Sequence, residues 1–279
     1  MDSLHYTPKE IVQKYNEKSI LKTTYNRKQL LLTAVFAGIF IAAGAQASSL
    51  ASHAVTNAGL AKLVAGAIFP VGLMMIIFLG GELFTSGCMM SMAFMGKKIS
   101  FSSFLTTLGI IYIGNFLGAL LISLLISASG QLDFSHGALG AYTIKAALGK
   151  VNLSFGNAFF SGILCNILVC SAVLMAVAAK DITGKILAIF FPIMAFVVSG
   201  FEHCIANMYY IPSGIFASMN SDYVQAASES YGITEEMITA LNWKNFVFAN
   251  LVPVTLGNIV GGSVLIGGIC YYLYLKSGD

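Results

Sequence analysis

Long stretches free of Asp, Glu, Lys and Arg dominate the chain, at residues 29–61, 63–81, 99–132, 151–179, 186–201, 203–221 and 245–275. Most exceed the roughly 18 apolar residues that a helix needs to cross a bilayer. Two regions break the pattern: 60–96 contains Glu82, and 186–211 contains Glu202 and His203. A straight helix over 60–96 would run roughly 55 Å, well beyond a hydrocarbon core of about 30 Å, so that crossing must bend or unwind. Counting each region as one interrupted crossing predicts six spans, at about 29–53, 60–97, 101–129, 154–180, 185–211 and 245–275. Residues 29–279 then form one six-span, all-α polytopic membrane unit. Ahead of it, residues 1–28 are predicted to carry a cytoplasmic amphipathic helix. Thr7-Pro8-Lys9-Glu10 reads as a capping box with Pro at the first turn, and Ile11, Tyr15 and Ile20–Leu21 supply an apolar stripe. This helix reads either as an interfacial anchor or as a gate. Residues 213–244, which hold Asp222, Glu229, Glu235, Glu236 and Trp243, are expected to be the sole long connection outside the membrane.

Composition fits this reading. Of 279 residues, 57% are hydrophobic and 10% charged, too few charges to cover a soluble surface. A net charge of +3 gives no reason to expect nucleic acid. With the N-terminus inside, eleven basic residues fall on the cytoplasmic side (Lys9, Lys14, Lys18, Lys22, Arg27, Lys28, Lys97, Lys98, Lys180, Lys185, Lys276) and four outside (Lys62, Lys145, Lys150, Lys244). The expected location is the plasma membrane, multi-pass, with both termini cytoplasmic. The polar first 28 residues do not resemble a secretory signal. Cys88, Cys165, Cys170, Cys204 and Cys270 lie in apolar stretches without CxxC spacing and read as small buried hydrophobes. No metal or cofactor is expected.

The two halves can be superposed. AGIFIAAGA (37–45) pairs with SGILCNILV (161–169), Pro70…Glu82 with Pro192…Glu202, and GNFLGA (114–119) with GNIVGG (257–262). Three spans per half give a 3+3 inverted repeat, in which broken helices meet near the midplane and line a protein-walled cavity. GGELFTSG (80–87) and SGFEHCIANM (199–208) are the breaks this plan requires.

GELFTSG, GNFLGA, GILCNILV, GFEHCIANMYYIP and GNIVGG, in this order and spacing, closely resemble the formate/nitrite transporter family. The resemblance covers essentially the whole chain and is strongest, taken overall, to the clostridial hydrosulfide branch. It implies a homopentamer of aquaporin-like protomers, each with its own pore for small monovalent anions of weak acids: hydrosulfide favoured, formate and nitrite also served. By motif position it implies apolar constrictions at Phe69, Leu73 and Phe196 on the outer side, and at Leu83, Phe84 and Val169 on the cytoplasmic side. Each of these residues serves equally as ordinary helix packing.

The polar residues suggest how such a pore works. His203 is the one histidine in the middle of a span, since His5, His53 and His136 fall outside or at span ends. An ionisable group at that depth points to function, here a residue that offers or relays a proton to a passing anion. The alternative is a neutral core imidazole bonded to a carbonyl. Thr85 offers a hydroxyl to the path or back-bonds within its own helix. Lys150, twelve residues before Gly162, matches the family's vestibule lysine, or is a solvated lysine at a helix end. Glu82 and Glu202 read as scaffold carboxylates accepting backbone N–H groups freed by unwinding. Asn115, Asn166, Asn207 and Asn258 read as interhelical bridges from the loops to neighbouring spans. Two other classes compete: a proton-coupled formate or nitrite secondary transporter and, with less support, a membrane enzyme. For the enzyme, Cys204 beside His203 points about 100° away and makes a poor nucleophile pair.

Overall fold

A computed structural model describes residues 5–276. Six helices are long and apolar enough to cross a membrane: Arg27–Ser52, Ala58–Leu79, Phe101–Ala128, Phe155–Ala178, Ile182–Ser199 and Trp243–Leu275. The second and fifth are half-spans, each continued after a short extended break by a further helix, Phe84–Met95 and Cys204–Ala217.

Both breaks are made the same way. Gly80 and Gly200 adopt positive φ, 86° and 71°, a conformation that costs glycine nothing and other residues a clash. The next N–H in each case, on Gly81 and Phe201, reaches back to the carbonyl of Ile76 and Phe196 and closes the helix end. The chain then runs extended through Glu82-Leu83 or Glu202-His203 before turning helical again.

What holds each break open is an asparagine from the last span of its own half. Asn115 Oδ1 accepts from Phe84 N (2.9 Å), while its Nδ2 donates to Glu82 O (2.9 Å) and Ala34 O (2.7 Å). Asn258 repeats the pattern, accepting from Cys204 N (2.9 Å) and donating to Glu202 O (3.0 Å) and Gly162 O (2.8 Å). Backbone groups freed at bilayer depth have no water to turn to, so each amide replaces what the helix gave up. The inverted repeat is thus legible bond by bond.

These bonds correct the register drawn from sequence. Ala34 is equivalent to Gly162, and Thr33 to Ser161, whose oxygens accept from Glu82 N and Glu202 N at 3.0 Å. The superposition of residues 37–45 on 161–169 is therefore one helical turn out. It matched glycine to glycine, whereas the repeat preserves the carbonyl that the asparagine clamps.

The corrected register extends the repeat backwards. It pairs the N-terminal helix Pro8–Lys22 with the helix Ala138–Val151, which lies between the third and fourth spans. Each repeat is one short helix followed by three spans. Residues 213–244 are consequently not the sole structured connection, as the alanine-rich Ala138–Val151 helix carries too little charge to stand out from the spans around it. In the N-terminal helix the Thr7–Glu10 capping box forms, but the buried face is Val12, Tyr15, Ser19 and Lys22, and Leu21 is exposed. The inward stripe is more polar than the apolar residues alone suggest.

Glycines let the spans approach closely. A Cβ on Gly118 would lie 2.1 Å from Val35 O, and one on Gly257 2.1 Å from Phe159 O, so the first and third spans and the fourth and sixth pack backbone to backbone. The sixth span includes wider π-helical turns at Phe246–Leu251 and Val260–Gly268, a geometry frequent at functional sites. The first of them carries Asn250 and the second Ser263.

Candidate functional site

Two cavities enter the chain from opposite faces. One, of about 840 Å³, is lined by Phe69, Lys150, Phe196, Glu202 and His203 among others. The second, of about 870 Å³, opens on the face covered by the N-terminal helix and is lined by Tyr15, Lys22, Leu73, Glu82 and Ser86 among others. Phe69 and Leu73 sit one turn apart on the same half-span, so along that helix the partition between the cavities is about 6 Å thick. The two breaks meet at this partition.

His203 stands at its centre, 2% exposed. It is the N-cap of the half-span Cys204–Ala217, and its Nδ1 accepts from Ala206 N at 3.1 Å. A backbone N–H can only donate, so Nδ1 carries no proton and the neutral ring holds its proton on Nε2. That nitrogen lies 3.1 Å from Thr85 Oγ1, contributed by the other break. Thr85 therefore bonds across the partition, not back to its own helix, and Asn166 Nδ2 fixes its carbonyl at 3.0 Å. The repeats differ most where this pair forms: His203 is equivalent to Leu83, and Thr85 to Ile205. Rings close the site from the side, with Phe69 and Phe196 edge to face at 5.3 Å and the Phe196 ring 5.9 Å from the imidazole.

Leu73 lines the cavity on the N-terminal-helix face, not the one holding Phe69 and Phe196. Leu83, Phe84 and Val169 are fully buried, and Phe84 packs edge-on against Tyr112 of the third span at 4.8 Å.

Among the described residues, no freed backbone N–H donates to either carboxylate, contrary to the expectation from sequence. Glu82 Oε2 pairs with Lys22 Nζ at 2.7 Å, and Glu202 Oε1 with Lys150 Nζ at 2.9 Å. Lys22 and Lys150 are equivalent in the corrected repeat, so each short helix ends on a lysine that reaches the break's glutamate. At the Glu202 mouth two amides are added. Asn207 Nδ2 donates to Glu202 Oε2 (2.6 Å) and to Asn250 Oδ1 (2.7 Å), and Asn250 Nδ2 donates to the Lys150 carbonyl (2.9 Å). Asn207 Oδ1 is buried with no donor facing it. At the other mouth Tyr15 donates to the Ser86 carbonyl at 2.6 Å. Burial pushes the Tyr15 phenol up to about 12, Lys22 opposing it.

Asn250, Ser161, Tyr15 and Lys22 were not singled out from sequence as site residues. Asn250 had the same signal as the four amides that were, an amide in an apolar run, but it sits close to the start of its span. Among the described residues no three His, Cys, Asp or Glu side chains gather as metal ligands.

Comparison with known proteins gives the same outline. Residues 9–272 match the family described as formate/nitrite transporter. The chain is 40% identical over 215 residues to the formate channel FocA of Haemophilus influenzae, covering 77% of this chain and 75% of that one. It is 34% identical over 278 residues to FocA of Escherichia coli K12, covering 98% and 95%. Among solved structures, that of a pentameric formate channel with formate bound superposes with a TM-score of 0.82 at 34% identity, over 90% of this chain and 98% of that one.

Proposed function

The chain belongs to the formate/nitrite transporter family, and from that premise we propose that each protomer is a channel for small monovalent anions of weak acids. The family comprises channels and transporters, which sets the membrane-enzyme alternative aside. Formate is the first substrate to test, because the relatives named above are formate channels. Hydrosulfide and nitrite follow it, as both are small anions with neutral conjugate acids, but no relative named above supports the preference for hydrosulfide expected from the sequence. We take the functional unit to be a homopentamer with one pore per protomer, by likeness to the solved channel, which is itself pentameric. The basic residues orient the N-terminal helix and its cavity toward the cytoplasm and the Lys150–Glu202 mouth outward.

The observation that carries this reading is the His203–Thr85 pair at an otherwise apolar partition. Moving a bare anion between the Phe69 and Phe196 rings strips its water at a cost of many kcal/mol, whereas the neutral acid crosses cheaply. An anion at the cavity floor meets Nε2–H, the ring's one donor, which trades its bond to Thr85 for one to the permeant. The proton that neutralises the anion comes from cavity water and returns to water on the far side. His203 supplies a hydrogen bond, not the proton, because reprotonation at Nδ1 would set two N–H groups against each other at the helix cap.

The test is flux into liposomes holding only this protein, with formate, nitrite and hydrosulfide at several pH values and no counter-ion gradient. We expect flux of at least one anion, rising as pH falls. No flux of any of the three overturns the channel reading, and flux that requires an imposed proton gradient favours the coupled transporter.

A further inference from the structure

Resting on the anion-channel reading, we propose that Lys62 gathers anions at the outer mouth. Three lysines line the His203 cavity, Lys62, Lys145 and Lys150, and Glu202 is the one carboxylate among its lining residues. Lys150 is spent on that carboxylate at 2.9 Å, so the pair presents a dipole to the cavity and little net charge. Lys145 keeps its charge but holds it against an aromatic wall of the same cavity, its ammonium 4.2 Å from the centre of the Tyr231 ring. Among the described residues the lysine–carboxylate pairs are Lys22–Glu82 and Lys150–Glu202, and neither involves Lys62.

Position suits Lys62 to the task. It lies in the first turns of the half-span Ala58–Leu79, seven residues and two turns ahead of Phe69, hence on the same helix face and roughly 10 Å above the cavity floor. Ala58, Ala61 and Ala65 line the cavity beside it and leave its chain free to lean inward. Its Nζ sits 3.0 Å from the point where a Cβ on Gly200 would be, over the C-terminal end of the half-span Ile182–Ser199. The carbonyl end of a helix favours a cation there without neutralising it as a carboxylate would. Gly80, the equivalent glycine at the other mouth, has no atom within 4 Å of its Cβ position. The device belongs to one mouth alone. A full positive charge at the lip of a low-dielectric funnel raises the local concentration of a permeant anion without touching the partition.

Formate flux is measured in liposomes as a function of concentration for wild type, Lys62→Gln, Lys62→Glu and Lys62→Arg. At low ionic strength the half-saturating concentration should rise about threefold to tenfold in Lys62→Gln and further in Lys62→Glu, with Lys62→Arg near wild type and maximal flux retained. At about 0.5 M salt, where screening shortens to a few ångströms, the differences should collapse. A Lys62→Cys protein labelled with a cationic or an anionic methanethiosulfonate compares two charges on one folded protein. The cationic adduct should restore wild-type half-saturation and the anionic adduct worsen it. Equal half-saturation for the two adducts, or a lowered maximal flux with unchanged half-saturation in Lys62→Gln, overturns the proposal. A wild type that conducts none of formate, nitrite and hydrosulfide instead overturns the channel reading on which it rests.

Discussion

Replacing His203 separates two jobs that one side chain performs. Nδ1 caps the half-span Cys204–Ala217, and Nε2–H faces Thr85 Oγ1 and is the donor that the proposed function offers to the permeant. His203→Asn keeps an acceptor oxygen at the N-cap, where asparagine is among the best residues, but its short side chain does not reach toward Thr85. His203→Ala loses both. A hydrogen bond to a charged partner is worth about 1.5–3 kcal/mol, so either variant should lower formate flux by about 10- to 150-fold. Only the alanine should also destabilise the helix start, by about 1 kcal/mol, the cost of a lost cap. The assay is stopped-flow anion flux in liposomes across pH 5 to 8, paired with thermal unfolding in detergent. On the proposed solvent origin of the neutralising proton, the residual flux of His203→Asn should keep the wild-type pH profile at reduced amplitude. Flux within twofold of wild type would refute the hydrogen-bond role. A profile that goes flat would refute the solvent origin of the proton and route it through the imidazole.

Other outcomes follow from the same geometry. Gly118→Ala and Gly257→Ala each drive a methyl into a carbonyl 2.1 Å away and should abolish the folded species on size exclusion, while Gly109→Ala, with open space around it, should elute as wild type. Lys150→Met leaves the Glu202 carboxylate buried without its cation and should cost about 3–5 kcal/mol, read as a fall in melting temperature. The double variant Lys150→Met/Glu202→Gln should recover most of that loss. Tyr15 bonds through its proton and its pKa is raised from 10.0 to about 12, so its contribution to docking of the N-terminal helix is complete below pH 10 and lost as pH climbs from about 10 to about 12. Limited proteolysis of the first 30 residues should accelerate in that window for wild type and not for Tyr15→Phe.

The spans, both breaks and the clamping asparagines are legible in the sequence because each follows a local rule. Apolar runs of bilayer length, glycines where the chain must turn left-handed, and amides stranded in apolar surroundings are all visible along the chain. What stays hidden is set by contact between distant residues. Glu202 and Lys150 are 52 residues apart, with nothing periodic to link them, so Lys150 reads from sequence as a free vestibule cation when its charge is already met. The exchange of Leu83 for His203 between equivalent positions is likewise invisible until the carbonyls of Ala34 and Gly162 fix the register.

That register explains why the pore chemistry sits on one level. Two equivalent backbone breaks, held by equivalent asparagines, bring equivalent positions to the same depth, so a symmetric ancestor would present the same side chain twice. Here one break contributes an imidazole where the other has leucine, and the second contributes a hydroxyl where the first has isoleucine. A donor and an acceptor from opposite repeats then satisfy each other when the partition is empty, which removes the penalty of two unpaired polar groups in an apolar wall. On the proposed function, an arriving anion has only to exchange one bond, Nε2–H to Thr85, for another. Thr85→Val would remove the resting partner and leave Nε2–H unsatisfied, destabilising the empty site more than the occupied one. The half-saturating anion concentration should therefore fall in that variant, opposite in sign to the effect at Lys62, and a rise would mean that Thr85 binds the permeant in its own right.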